Sequence, residues 1–289
     1  MTIRESSARR NLAEKTDLST SLDRALAILD LVSENSSGAT NAELARRLLI
    51  PTSSCSYVLQ RLEGAGYLTR SEETRRYELG IKVLSLAHAV LRDTGLPTAV
   101  DPILTAIAER TGQAVIVAIL CTDRITILRR TGLPELTGVD FEMGASFPAH
   151  ATAIGKMLLA QLSDTDLHDL LDSRQLVKRS PRTINSKDDL MRNLADIRRR
   201  GHSASNGELF MRIRGLAVPI VDDSGHTCAG LTVAGPHLRL DDNEAIRAIH
   251  DGAAMISKRL RETAAQRRSV NSPFEVLTAL QHFGADRIA

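Results

Sequence analysis

Apolar residues recur at one-turn spacing through the first part of the chain. In STSLDRALAILDLVS, residues 19–33, Leu22, Leu26, Leu29 and Val32 share one helical face with Leu18 one turn earlier, so a helix with a Ser or Thr cap is predicted. Asn35-Ser36-Ser37-Gly38 reads as a turn. The stretch NAELARRLLIPTSSCSYVLQRLEGAG, from Asn41 to Gly66, carries two further stripes: Leu44, Ala45 and Leu48, then Val58, Leu59 and Leu62. Thr40 or Asn41 is placed to cap the first of these helices. Ile50-Pro51 ends it, because a residue before proline is pushed out of the α region; Pro51 or Thr52 starts the second, with Thr52 or Ser53 available as its cap. The second helix leaves Ser53, Ser54, Ser56, Tyr57, Gln60 and Arg61 exposed, side chains of lengths suited to phosphates and base edges in a DNA major groove.

Tyr67 and Leu68 are strand formers, Ser71 to Thr74 are turn residues, and Arg75 to Leu79 resume an extended pattern. Directly after a recognition helix this reads as a wing, with Arg70, Arg75 and Arg76 where it would meet the phosphate backbone or minor groove. A solvated hairpin tip is the plainer alternative, since Glu72 and Glu73 stand beside them. Leu79, Val83, Leu86 and Val90 then form one helical stripe with Leu84, Ala87 and Leu91 beside it. So broad an apolar surface predicts packing on two sides, against its own domain and against a second protomer, with one-sided core packing as the plainer alternative.

Beyond the boundary at Thr94-Gly95-Leu96-Pro97, a helix is predicted from Pro102 to Arg110. AVIVAIL (114–120), a CTDR turn and ITILRR (125–130) predict a β-hairpin, and a second is expected from Leu216 to Val221 and Thr227 to Ala234. Helices are expected from Ala149 to Leu162, from Lys187 to Arg200 behind a Ser186-x-x-Asp189 box, and from Asp241 to about Arg261. Hairpins interspersed with helices indicate an α+β domain with an antiparallel sheet. The expected layout is a flexible arm over 1–18, a DNA-binding domain over 19–79, a linker helix over 80–95, a second domain over 96–264, and a tail over 265–289 with no clear role.

Composition changes this picture little. At 289 residues, 43% hydrophobic and 25% charged, the chain is of ordinary folding composition and long enough for two domains. No bilayer-length apolar run and no signal-peptide core is present, so a cytoplasmic protein is expected. Cys55, Cys121 and Cys228 form no C-x-x-C pair and read as small buried residues rather than a disulfide or zinc framework. Charge weighs on the DNA reading: residues 1–80 hold 11 Lys/Arg and 11 Asp/Glu, with the cations clustered as Arg9-Arg10, Arg46-Arg47 and Arg75-Arg76. One such unit should bind non-specifically only modestly unless two act together.

A search for catalysis is thin. No G-x-S-x-G, Walker or G-x-G-x-x-G motif occurs, and the eight histidines show no helical-neighbour spacing, so no cofactor and no metal are expected; His226-x-Cys228 reads as a strand-surface pair. MGASFPAHATAIGK, from Met143 to Lys156, is more informative. Its loop delivers the chain to a helix start around Ala149 or His150, where unpaired N–H groups favour a carboxylate. Small residues Ala149, Ala151, Thr152 and Ala153 leave room for a ligand or serve close packing.

From Ser21 to Arg261 the chain resembles the IclR-type transcriptional regulators, through SLDRALAILD, AELARRLLIPTSS, LEGAGYLTR, KVLSLA, FPAHATAIGKMLLA, GELFMRIRGLAVPIVDDSG and GLTVAGP. The resemblance implies an N-terminal winged helix-turn-helix, a dimerising linker helix and a C-terminal GAF-like α/β effector-binding domain. It implies repression or activation of genes, often catabolic, in response to a small organic acid, by dimers or dimers of dimers on a double-stranded DNA operator, with no membrane partner. Carried over by position, the effector pocket would be lined by Leu136, Val139, Phe147 and Ile213, with backbone groups of Ala153 and Ile154 meeting the ligand's oxygens and Ser205, Gly215 and Thr232 on the polar side. Glu208 matches a recurring acidic residue of the same block. Ser205 and Gly215 depart from an acidic residue and a cysteine carried by some relatives, and Thr52 and Tyr57 stand where relatives often carry basic residues, so neither effector nor operator transfers directly. The competing expectation is an enzyme or sensor whose C-terminal domain acts on a small molecule, with the N-terminal unit as an interaction module.

Overall fold

The computed structural model describes residues 20–33, 35, 37–94, 96–132, 141–172, 174–222, 225–236 and 242–267. The chain divides into two compact units, Met1–Val90 and Leu91–Ala289.

In the first unit α1 (Ser21–Ser33) packs on α2 (Asn41–Leu48), α3 (Thr52–Gly64) and the wing. Its buried residues are Ile28, Leu31 and Val32, whereas Leu22 and Leu26 are 67% and 37% exposed. The expected stripe is thus corrected: Val32 lies inward, but the first half of that stripe faces solvent because only the second half of α1 reaches the core. Thr40 caps α2 in a full capping box, accepting from the Glu43 amide while the Glu43 carboxylate accepts from its own. The helix stops at Leu49 in the left-handed region (φ 55°), before the Ile50-Pro51 step expected to end it. Pro51 is the N-cap of α3 and no side chain caps it, contrary to the role given to Thr52 or Ser53. Leu44, Leu48, Cys55, Val58, Leu59, Leu68 and Tyr77 close the core around this pair. Each large apolar side chain so buried contributes about 1.5–3 kcal/mol.

The wing is β1 (Leu68–Arg70) paired antiparallel with β2 (Tyr77–Leu79), register Leu68↔Leu79. β2 begins at Tyr77 rather than Arg75, because Arg75 takes a left-handed conformation (φ 59°) that ends the turn. Helix α4 (Ile81–Thr94) follows, and the boundary between the two units falls within it.

The second unit is built on a six-stranded sheet with every neighbouring pair antiparallel, in the order β5-β4-β3-β8-β7-β6. Its strands are β3 (Ala114–Cys121), β4 (Arg124–Thr131), β5 (Ser146–Pro148), β6 (Ser203–Asn206), β7 (Ile213–Val221) and β8 (Thr227–Pro236). Val115, Val117 and Ile119 face α5 (Leu96–Thr111) and α9 (Asp242–Arg267), while Ala118 and Leu120 face α6 (Ala153–Leu159), α7 (Asp164–Asp172) and α8 (Lys187–Arg200). Burial of both faces explains why β3 reads as a continuous apolar run instead of an alternation.

Several boundaries differ from the sequence reading. α5 starts at Leu96 and carries Pro102 inside it, since proline within a helix costs one backbone hydrogen bond without always ending the element. The single helix expected from Ala149 to Leu162 is two pieces, a 3-10 turn Ala149–Ala151 and then α6. Thr152 breaks them by going extended and accepting from the Gly155 amide at 2.9 Å as the N-cap of α6. α7, β5 and β6 were not anticipated. Ser186 does cap α8, and Gly201 ends it in the left-handed conformation. No helix among the described residues is long and apolar enough to cross a membrane.

Candidate functional site

Two surfaces carry the candidate residues, one in each unit. On α3 the buried positions Cys55, Val58 and Leu59 leave the opposite side to Ser53, Tyr57, Gln60 and Arg61, all exposed, with Ser54 and Ser56 half-buried beside them. The helix therefore presents hydroxyl, amide and guanidinium groups over two turns from a fixed apolar base. Arg75 on the wing is exposed, and the Arg70 guanidinium sits over the Tyr77 ring, 5.5 Å from its centroid. Arg76 is engaged within the fold. Its Nε donates to the Ser37 carbonyl (2.9 Å) and its Nη2 to the Gly38 carbonyl (3.1 Å) and to Glu43 (2.9 Å). It ties the wing to the N-terminus of α2, and with the Thr40 amide it helps hold the Glu43 carboxyl below its ordinary pKa. The positive charge the sequence offered to DNA at this position is directed at Glu43.

In the second unit a cavity of about 490 Å³, counting its open mouth, lies against the sheet. β3 and β4 supply Ile116, Ile125 and Ile127; β7 and β8 supply Ile213, Gly215, Thr232 and Ala234; Ser205 comes from β6. The remaining wall is Ala151 to Ile154, Phe141, Phe147 from β5, and Leu209 and Phe210 from the loop 207–212. The structure thus gathers Phe147, Ala153, Ile154, Ser205, Ile213, Gly215 and Thr232, while Leu136 and Val139 lie outside the described residues. The helix start expected at Ala149 or His150 is corrected to Ala153, so Ala153 and Ile154 are the first two residues of α6, whose amides a helix leaves without intrahelical partners. Gly215 is a gap in the wall: an added Cβ would meet the Ala153 Cβ at 3.4 Å and the Thr232 Oγ1 at 3.7 Å, ordinary contact distances. Thr232 Oγ1 donates to the Leu216 carbonyl at 2.7 Å and keeps its lone pairs for a ligand.

The loop carrying Leu209 and Phe210 is fastened at its first residues. Ser180 Oγ donates to the Gly207 carbonyl and Thr183 Oγ1 to the Glu208 carbonyl, each at 2.6 Å. Gly207 has φ +73°, and a Cβ there would lie 2.8 Å from the Met211 oxygen, so the turn requires glycine. The Glu208 carboxylate takes both of its hydrogen bonds from Lys156 Nζ of α6, at 2.6 and 2.8 Å. Lys156 is only 1% exposed, and burial pulls its ammonium below the ordinary lysine pKa against the attraction of Glu208. Sequence reasoning marked Glu208 but not its partner. A signal was available, since Lys156 is the only Asp, Glu, Lys or Arg between Glu142 and Asp164.

His150, beside the cavity, is buried with Nε2 3.1 Å from the Val177 carbonyl, and burial lowers its pKa from the usual 6.5. The unfolded chain then binds the proton that the folded one refuses. The stabilisation is full above pH 6.5 and is lost as the pH falls through the depressed folded value. Urea midpoints at pH 7.5 and 5.5 should fall more for the wild type than for His150→Gln; equal losses would remove His150 as the cause.

Among the described residues no cluster of three or more His, Cys, Asp or Glu is placed to hold a metal ion. Cys55 and Cys228 are buried free thiols, and burial pushes their pKa values to about 11 and about 12; Cys121 is half-buried rather than fully so.

Comparison with known proteins bears on both surfaces. The family model described as the bacterial transcriptional regulator IclR C-terminal domain matches residues 88–258, and the IclR helix-turn-helix domain matches residues 21–72. The Pca regulon regulatory protein of Pseudomonas putida is 34% identical over 219 residues, 75% of each chain. HTH-type transcriptional regulator BhcR of Paracoccus denitrificans is 34% identical over 221 residues, 76% of this chain and 79% of that one. The crystal structure of Thermotoga maritima IclR superposes with a TM-score of 0.60 at 25% identity, covering 83% of this chain and 98% of the other. With both of its units matched in order, this chain belongs to the IclR family of ligand-responsive, DNA-binding transcriptional regulators.

Proposed function

We propose that this regulator controls a catabolic or metabolic operon in response to a small organic acid, working as a cytoplasmic homodimer or dimer of dimers and turning over no substrate. Residues 19–79 read the operator, 80–95 link, and 96–264 hold the effector. Ser53, Ser54, Ser56, Tyr57, Gln60 and Arg61 enter the major groove, and Arg70 and Arg75 meet the backbone from the wing. Arg76, drawn into the fold, supports the wing's position.

The observation that carries this reading is the coexistence of an exposed hydrogen-bonding face on α3 with an open-mouthed, largely apolar cavity lined by no His, Cys, Asp, Glu or Lys among the described residues. Such a cavity suits binding without turnover. Pairing of protomers is supported by apolar surface left uncovered in the first unit, where Ile81 is 76% and Leu84 61% exposed along with Leu22. A ligand shifts an equilibrium only by its different affinities for two states, so the effector must favour one spacing of the paired DNA-reading helices.

Footprinting of the full chain on the DNA upstream of its own gene tests the reading, with protection expected over two half-sites. Turnover of a small acid by the same preparation, with no protection, would overturn it. Gly215→Leu separates the pocket from the fold: its Cβ fits and its branch enters the cavity, so effector binding should fall at least tenfold with an unchanged melting temperature. Unaltered binding would place the effector elsewhere.

A further inference from the structure

The apolar side chains buried in the second unit are mostly aliphatic. Its only aromatic residues among those described are Phe141, Phe147 and Phe210, and all three line the cavity. They come from separate places in the chain: Phe141 ahead of β5, Phe147 within β5, and Phe210 from the loop tied down at Gly207 and Glu208. The ring centroids are 5.4, 5.7 and 6.0 Å apart with interplanar angles of 57°, 89° and 83°, so no two rings stack in parallel. Phe210 meets each of the other two rings in a T-shaped arrangement, Phe141 and Phe147 are tilted against each other, and Phe147 and Phe210 are only partly buried. A fourth flat ring entering this corner can meet edges and faces together, the arrangement aromatic quadrupoles favour.

The polar groups are few and lie together elsewhere on the wall. Ser205 pairs in register with Gly215, which borders Thr232 and Ala153, and Thr152 stands at the head of α6. The described lining residues include no Lys or Arg, so each carboxylate beyond the first would add a buried charge without a counter-charge among them. A polyhydroxylated acid would lose its water to Ile116, Ile125 and Ile127 with too few hydrogen-bonding partners in return.

We infer that the small acid of the regulator reading carries a single aromatic ring, seated against Phe141, Phe147 and Phe210. This rests on the regulator reading above and narrows its ligand class. Phe210 becomes the residue that selects aromatic over saturated rings, and Ser205 and Thr232 select substituents at the other end.

The test is calorimetric titration of the full-length protein with benzoate, cyclohexanecarboxylate, phthalate and gluconate. Benzoate should bind about tenfold more tightly than cyclohexanecarboxylate, which matches its size without a π face. Phthalate and gluconate should give no measurable heat of binding. Phe210→Leu should abolish the benzoate preference and Phe210→Tyr should keep it, a pair that separates loss of the ring from loss of the fold. Failure of benzoate to bind, equal or better binding of the saturated acid, or a preference that survives Phe210→Leu would overturn the inference. Footprints on the upstream DNA, taken with the same preparations, tell the two readings apart. Protection without benzoate binding sinks the ring assignment alone. Benzoate preference without protection sinks the regulator reading and leaves the ring assignment standing.

Discussion

Lys156→Met should destabilise the effector-binding unit by roughly 3–5 kcal/mol, the usual consequence of leaving one member of a buried ion pair without its partner. For a unit of this size that lowers the melting temperature by on the order of 10 °C. The reason lies in where the pair sits. Both hydrogen bonds to the Glu208 carboxylate come from Lys156 Nζ, Glu208 is 8% exposed, and the depressed lysine pKa means that burial opposes the charge more than Glu208 favours it. The pair is therefore costly to break without being a strong net source of stability. Replacing both members by apolar residues, as in Lys156→Met with Glu208→Leu, should restore wild-type stability or exceed it. Thermal unfolding of the two single variants and the double variant checks this cycle. Near-additive losses in the double variant would refute the coupling. The single variants should also weaken effector binding, because Glu208 immediately precedes Leu209 and Phe210 in the cavity wall.

Operator affinity should fall by about 30- to 1000-fold when Ser53 and Arg61 are both replaced by alanine, taking about 1–3 kcal/mol for a base-reading contact and somewhat less for a hydroxyl. Both side chains are exposed on the same side of α3, and the buried Cys55, Val58 and Leu59 are untouched, so the unit should fold as before. Effector binding, which the proposal assigns to the other unit, should be unchanged. Fluorescence anisotropy on the upstream DNA, with calorimetry on the same samples, checks both statements. Joint loss of DNA and effector binding would indicate a folding defect, and unaltered DNA affinity would remove this face of α3 from operator reading. Arg76→Ala is a useful contrast. Its guanidinium holds Ser37, Gly38 and Glu43, so its loss should appear first in the stability of the unit and only through that in DNA affinity.

The elements that could be read from the chain are those with one strong periodic signal. The helices α2 and α3 each bury a clean stripe, and the two hairpins are apolar runs divided by polar turns. Where signals were short or mixed, the reading failed for identifiable reasons. β5 and β6 are edge strands of three and four residues, too brief to show alternation. Thr152 hides a helix break inside an alanine-rich run by acting as a cap. Leu22 and Leu26 follow helical spacing but face outward, because spacing shows that residues share a side, not what that side meets. Arg76 next to Arg75 looked like a second cation for DNA, and only the fold reveals Glu43 as its partner. The cavity was partly legible by family resemblance, through Phe147, Ala153, Ile154, Ser205, Ile213, Gly215 and Thr232. Phe141, Phe210 and Lys156 were not, since their convergence depends on the sheet and on the 207–212 loop rather than on any local spacing.

The central claim is that occupancy of the cavity and operator binding are coupled. Anisotropy of the full-length protein on its upstream DNA, measured with and without saturating benzoate, tests it most directly when paired with benzoate titrations with and without that DNA. Coupling requires that benzoate change operator affinity by about 5-fold or more, and that the operator change benzoate affinity by the same factor. Tight DNA binding indifferent to bound benzoate, with benzoate affinity indifferent to DNA, would contradict it.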